Sequence, residues 1–271
     1  MADTLTPGPE IQRLLFTDFD GRPADPDSVV NEAFDDPRHA ERVPRLVAVL
    51  RDPAAKPYDR FMAAYALTKW GEEAGYRAVR EAAEAPDGAP WIGYSIDRRF
   101  QVDDTFAQLA EAVGDSEELA DAKGTDAARL EALRSLVRIA DSTWFDRNLA
   151  GALDRRSLPA VLDEIPPVVA RALPLVTEHR DRLAFDLATQ LAGLAGAVVT
   201  VDEPLAVRLA DAIVDADPGP RALRELTDVV GRGTGEESLI LGERLRLGGT
   251  PEVAAAVDEA LASRAWRAER R

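Results

Sequence analysis

Four aspartates crowd the start of the chain: Asp18, Asp20, Asp25 and Asp27. Carboxylates at that density could hold a cation. A twelve-residue calcium loop, however, needs Gly at its sixth position and Glu at its twelfth, and neither register supplies both. Only two histidines occur, His39 and His179. His179 stands beside Glu178 with no second ligand at zinc-like spacing. There is no cysteine, which removes thiolate metal sites, disulfides and a cysteine nucleophile. The run GRGTGEE at 231–237 is Gly-rich, lacks the lysine of a phosphate loop and reads as a helix-ending turn. No serine sits in a nucleophile-elbow pattern. These residues assign no catalytic group, metal or cofactor.

Contact chemistry is more visible. Residues 86–101, PDGAPWIGYSIDRRFQ, combine Trp91, Tyr94 and Phe100 with Arg98 and Arg99. Aromatics and arginine are the usual anchors of interfaces, so these five are the candidate partner-binding residues. The opposing reading is that the loop folds back over the first hairpins and buries its own aromatics.

The elements that must position these residues are helices. Proline and Gly fall between apolar-periodic segments, and alternating strand patterns are nearly absent. Asp25-Pro26 is an N-cap followed by Pro at the first helical position, opening a helix through about Phe34. Helices are expected over 38–50, 58–70 and 72–85. The second of these is apolar almost all round, from Phe61 to Trp70, which predicts packing on several sides. The 86–101 segment, a loop or short hairpin, interrupts the rhythm. Helices then resume at 104–113 and 116–122. Thr125 opens one to Ala140, and Ser142 one through about Leu153. Two more, 157–165 and 167–177, are separated by Pro166-Pro167. The remainder are 180–197, one from Asp202 or Glu203, 220–230, 236–247, and 251–266 capped by Thr250. The uncharged stretch Leu187–Val201 is too short and too rich in small residues for a membrane span and reads as a buried helix with its exit. Trp70, Trp144 and Trp266 read as packing residues.

Residues 50–85 have Asp52-Pro53 in a turn, then Arg60, Ala63, Ala64 and Leu67, then Gly71 before a second helix. This unit resembles a HEAT repeat, in particular the short bacterial form of phycobilisome-lyase-type repeat proteins. Echoes follow at Arg129, Ala132 and Leu136, at Arg180, Ala184 and Leu187, and at Arg221, Leu223 and Leu226. The resemblance implies an all-α fold, an α-solenoid of HEAT-like helical hairpins with irregular repeats. As a class such proteins are binding scaffolds. The expected organisation is an acidic N-terminal segment with short helices at 1–36 and a HEAT-like domain at 37–271 carrying the loop insertion at 86–101. A second resemblance competes. Leu14 to Gly21, LLFTDFDG, is similar to the first motif of haloacid-dehalogenase-type phosphotransferases, which would make Asp18 the nucleophile and Asp20 the acid/base. Arg22 then departs from that pattern, and the parallel sheet the family needs has no strands downstream.

The net charge is -16. Residues 1–36 carry nine acids against Arg13 and Arg22, and residues 103–126 carry eight against Lys123. Such a field repels phosphate backbones and anionic lipid, so neither nucleic acid nor membrane is an expected partner. The near-absence of lysine, with abundant Ala, Asp and Gly, suits a GC-rich bacterial genome. The absence of cysteine and of a signal segment suits the cytoplasm. The expected function is a non-catalytic protein-binding scaffold. One concrete form is an acidic immunity- or antitoxin-type inhibitor of a basic partner. Alternatives are an adaptor subunit of a larger complex or the Asp18/Asp20 phosphotransferase.

Overall fold

The computed structural model describes residues 6–91, 96–97, 102–178, 183–216 and 219–270. Among them the chain is all-helical, apart from a two-residue antiparallel ribbon that pairs Ile96 with Asp103 and Asp97 with Val102. No described helix is long and apolar enough to cross a membrane. The chain divides into two compact units at 136/137.

The first unit holds α1 (Pro9–Leu15), α2 (Pro26–Glu32), α3 (His39–Arg51), α4 (Pro57–Lys69), α5 (Glu73–Glu84), α6 (Thr105–Asp115), α7 (Glu117–Lys123) and the start of α8 (Asp126–Arg138). The acidic segment 1–36 belongs to it, because α1 packs on α3 and α4. Helix α4 is the centre. It packs against α3, α5 and α6, and buries Phe61, Met62, Ala63, Ala64, Ala66 and Leu67. Its apolar periphery therefore has the several-sided packing the sequence predicts. Gly71 ends α4 in the left-handed region at φ 75°, and the Glu72 amide bonds back to the Leu67 carbonyl at 2.9 Å. Helix α5 then approaches so closely that a Cβ on Gly75 would lie 2.3 Å from the Thr68 nitrogen. Trp70 is fully buried. Its indole donates to the Val30 carbonyl at 3.0 Å, and its own carbonyl accepts from Lys123 Nζ at 2.7 Å. The same ammonium reaches Glu72 at 2.6 Å and His39 Nε2 at 3.0 Å.

The second unit runs through α9 (Asn148–Gly151), α10 (Leu158–Val161), α11 (Ile165–Glu178), α12 (Leu187–Val198), α13 (Glu203–Asp215), α14 (Pro220–Glu225), α15 (Thr227–Arg232), α16 (Glu236–Gly248) and α17 (Pro251–Ala268). Its centre is α12, buried along nearly its whole length and packed against α13, α14 and α15. Asp186, Asp202 and Thr250 cap α12, α13 and α17 by accepting the amides of Thr189, Leu205 and Val253.

Five expectations change. The helix expected from Ser142 shrinks to α9, because Asp146 turns the backbone at φ 48° and Ser142 bonds back to the Ile139 carbonyl. Pro166 and Pro167 do not separate two helices. They occupy the first turn of α11, where no amide is required. Helix α12 starts at Leu187 rather than 180, since Asp186 caps it there; Arg180 lies outside the described residues. The expected 220–230 helix is two, α14 and α15, and Gly231 lies in the last turn of α15 rather than beyond it. Trp266 is 54% exposed, with the Arg270 guanidinium 4.0 Å from its ring centroid, and is no core residue.

Candidate binding site

The Asp18–Asp20 stretch is a turn, not the end of a strand. Helix α1 precedes it, and Asp18 accepts the amides of Asp20 and Arg22 at 2.9 and 2.8 Å. The Arg22 amide, foremost among these contacts, holds the Asp18 carboxyl below its ordinary value. Arginines of α3 organise the rest. Arg42 donates to the carbonyls of Leu14, Thr17 and Asp18 and lies 4.2 Å from the Phe19 ring centroid. Arg38 binds Asp36 and Asp20, and Arg45 binds Glu10. Asp25 caps α2. Among the described residues no group of three metal-ligating side chains forms a cation site.

The second acidic stretch is spent in the same way. Asp103 accepts the Thr105 amide, Asp104 binds Gln108, and Asp126 pairs with Arg129. Asp115 and Glu111 face the buried Lys69 at 3.1 and 3.9 Å.

The five proposed contact residues fall differently. Trp91 is described and buried, 4% exposed. Tyr94, Arg98, Arg99 and Phe100 lie outside the described residues. Trp91 forms part of a cleft of about 460 Å³, a volume within the range of about 300–1,000 Å³ typical of ligand pockets. Three elements make the remaining walls. The end of α3 contributes Leu50 and Arg51, and the first turn of α4 contributes Arg60. One stripe of α5 contributes Ala74, Arg77, Ala78 and Glu81.

The Arg60 guanidinium is fixed between two groups. Its Nε donates to the Leu50 carbonyl at 3.0 Å, near the negative end of α3, and its carbon lies 5.7 Å from the Trp91 ring centroid. Arg51, Arg77 and Glu81 have no ion-pair partner among the described residues, although Arg77 and Glu81 are one helical turn apart. The Trp91 indole nitrogen is buried without an acceptor. A cleft with three cations and one anion around Leu50, Ala74, Ala78 and Trp91 is thus a locally cationic surface in a strongly acidic chain. Such a surface can take an anionic group and an apolar side chain together.

Sequence reasoning reached Trp91 but not Arg51 and Arg77. The available signal was the spacing of 74, 77, 78 and 81, which puts two charges beside two small residues on one helical face. The second unit also has arginine-lined clefts, one of about 340 Å³ around Arg147, Arg232 and Arg267. There the charge is largely consumed. Arg147 pairs with Glu225, Arg232 pairs with Asp228, and Arg267 donates to the Gly231 carbonyl.

No family model, no curated protein and no solved structure matches the chain.

Proposed function

We propose that this chain is a non-catalytic helical scaffold that holds a segment of another protein in the α3–α5 cleft. The carrying observation is that Arg51 and Arg77, which line the cleft with Trp91, have no ion-pair partner among the described residues, while most other described arginines are engaged within the fold. Arginine and tryptophan lining one cleft are the residue types that anchor interfaces. The α4–α5 hairpin, with its Gly71 turn and its close approach at Gly75, supports reading the helices as HEAT-like hairpins arranged as a solenoid. Charge alone would suit a basic partner and an immunity-type role. Much of the acid in 1–36 and 103–126 is spent on the chain's own arginines, lysine and amides, so the cleft is the better docking surface.

The test is capture of partners from a lysate of the source organism by wild type, by Arg51→Gln/Arg77→Gln and by Trp91→Phe. Circular dichroism checks that each variant is folded. A protein retained by wild type and lost from the double variant supports the proposal. Equal retention by all three sinks it.

A further inference from the structure

Resting on that reading of the cleft, we infer that its ligand is a short acidic peptide segment, held by carboxylates on Arg51, Arg60 and Arg77 with an apolar side chain over Trp91, Ala74 and Ala78. Three observations select this chemistry. First, the arginines come from three different elements, so they surround the apolar floor as separate cations. Separate cations suit several carboxylates spaced along a chain. Second, Glu81 stands on the same wall as Arg77 without pairing to it. A carboxylate there opposes a compact polyanion such as phosphate, yet it can accept the backbone N–H groups of a peptide. Third, the whole chain is at -16. That field opposes a long polyanion such as nucleic acid, whereas a short peptide with two or three charges meets mainly the local cations within a screening distance of about 8 Å.

Arg60 is the positioning member. Its Nε is committed to the Leu50 carbonyl, which leaves the terminal nitrogens to face a ligand. Arg51 and Arg77 are exposed and unpaired, so replacing them removes ligand contacts without removing structural ones.

The experiment is calorimetric titration of the full chain with three probes: a capped peptide Glu-Leu-Glu-Leu-Glu, its Gln-Leu-Gln-Leu-Gln counterpart, and inorganic phosphate. Binding of the acidic peptide alone is expected. Arg77→Gln should weaken it roughly tenfold, the loss expected for one hydrogen bond to a charged group. Arg51→Gln should do the same. Binding should fall with added salt. Equal binding of the amide peptide, tighter binding of phosphate, or indifference to both arginine substitutions would overturn the inference. These outcomes separate from failure of the scaffold reading. A captured partner that needs Arg51 and Arg77 but is not displaced by the acidic peptide leaves the scaffold standing and removes only the ligand chemistry.

Discussion

The phenol of Tyr76 donates to the Ser116 hydroxyl across 2.7 Å, and Ser116 donates in turn to the Val113 carbonyl at 2.8 Å. Both side chains are completely buried. The relay ties α5, one wall of the cleft, to the junction of α6 and α7. Burial pushes the Tyr76 phenol up to about 12. The unfolded phenol ionises near 10. Above that value the unfolded state has released a proton that the folded state keeps. The contribution of Tyr76 is therefore complete below about pH 10 and is lost as pH rises toward 12. Urea unfolding of wild type should weaken across that window by more than that of Tyr76→Phe, with a difference on the order of 2 kcal/mol. Parallel pH profiles would show that Tyr76 carries no such linkage.

Gly75→Ala sets helix propensity against packing. Ala is favoured over Gly in a helix by about 1 kcal/mol. The new Cβ, however, would sit 2.3 Å from the Thr68 nitrogen and 2.7 Å from the Leu67 carbonyl carbon, which are backbone atoms that cannot rotate aside. Overpacking of that kind costs typically about 1–3 kcal/mol. The variant should lose stability, read as a lower urea midpoint. A stabilised variant would mean that α4 and α5 can move apart at little cost.

Gln190 clamps a distant turn. Its amide nitrogen donates to the Ala140 and Thr143 carbonyls at 2.7 and 2.9 Å, and its oxygen accepts the Phe145 amide at 2.7 Å. Gln190→Leu would leave three largely buried backbone groups without a partner, each worth roughly 1–3 kcal/mol. The expected loss is about 3 kcal/mol or more by chemical denaturation. Hydrogen exchange at Phe145 should rise with it, and an unchanged exchange rate would contradict the clamp.

Glu203 reaches from α13 to the Gly-rich turn before α16. It accepts the amides of Thr234 and Gly235 at 2.7 and 2.8 Å and the Thr234 hydroxyl at 3.1 Å. Burial works against its charge, but the Thr234 amide, the Ser238 hydroxyl and the Gly235 amide outweigh burial and lower its pKa. A carboxyl depressed in the folded state contributes stability above its unfolded value and loses it as pH falls through the folded one. Thermal melts between about pH 3 and pH 7 should show a shallower acid decline for Glu203→Gln than for wild type. Identical declines would remove this carboxylate from the account.

Much of the architecture was legible because it is written locally. Asp25-Pro26, Asp202 and Thr250 are caps whose partners lie within three residues. The small residues of α4 announced a helix with neighbours on several sides. What stayed hidden is tertiary. The turn at 140–146 is held by Gln190 from far along the chain, so Ser142 could only suggest a helix. The cleft was half visible. Trp91 stood out by type, whereas Arg51 and Arg77 acquire meaning only when α3, α4 and α5 bring them to one wall. The acidic stretches read as partner surfaces in the sequence because charge counts do not show which arginines fold back onto them.

The chain has three lysines, and two of them are sequestered. Lys69 is 5% exposed between Tyr65 and Asp115, and Lys123 spends its ammonium on Trp70, Glu72 and His39. Only Lys56 stands exposed, at the entry to α4. Among the three lysines, Lys56 is therefore the one that amine-reactive reagents meet most openly, next in sequence to the helix that contributes Arg60 to the cleft. The native molecule thus carries a built-in attachment point for a dye or a surface tether, with no substitution required.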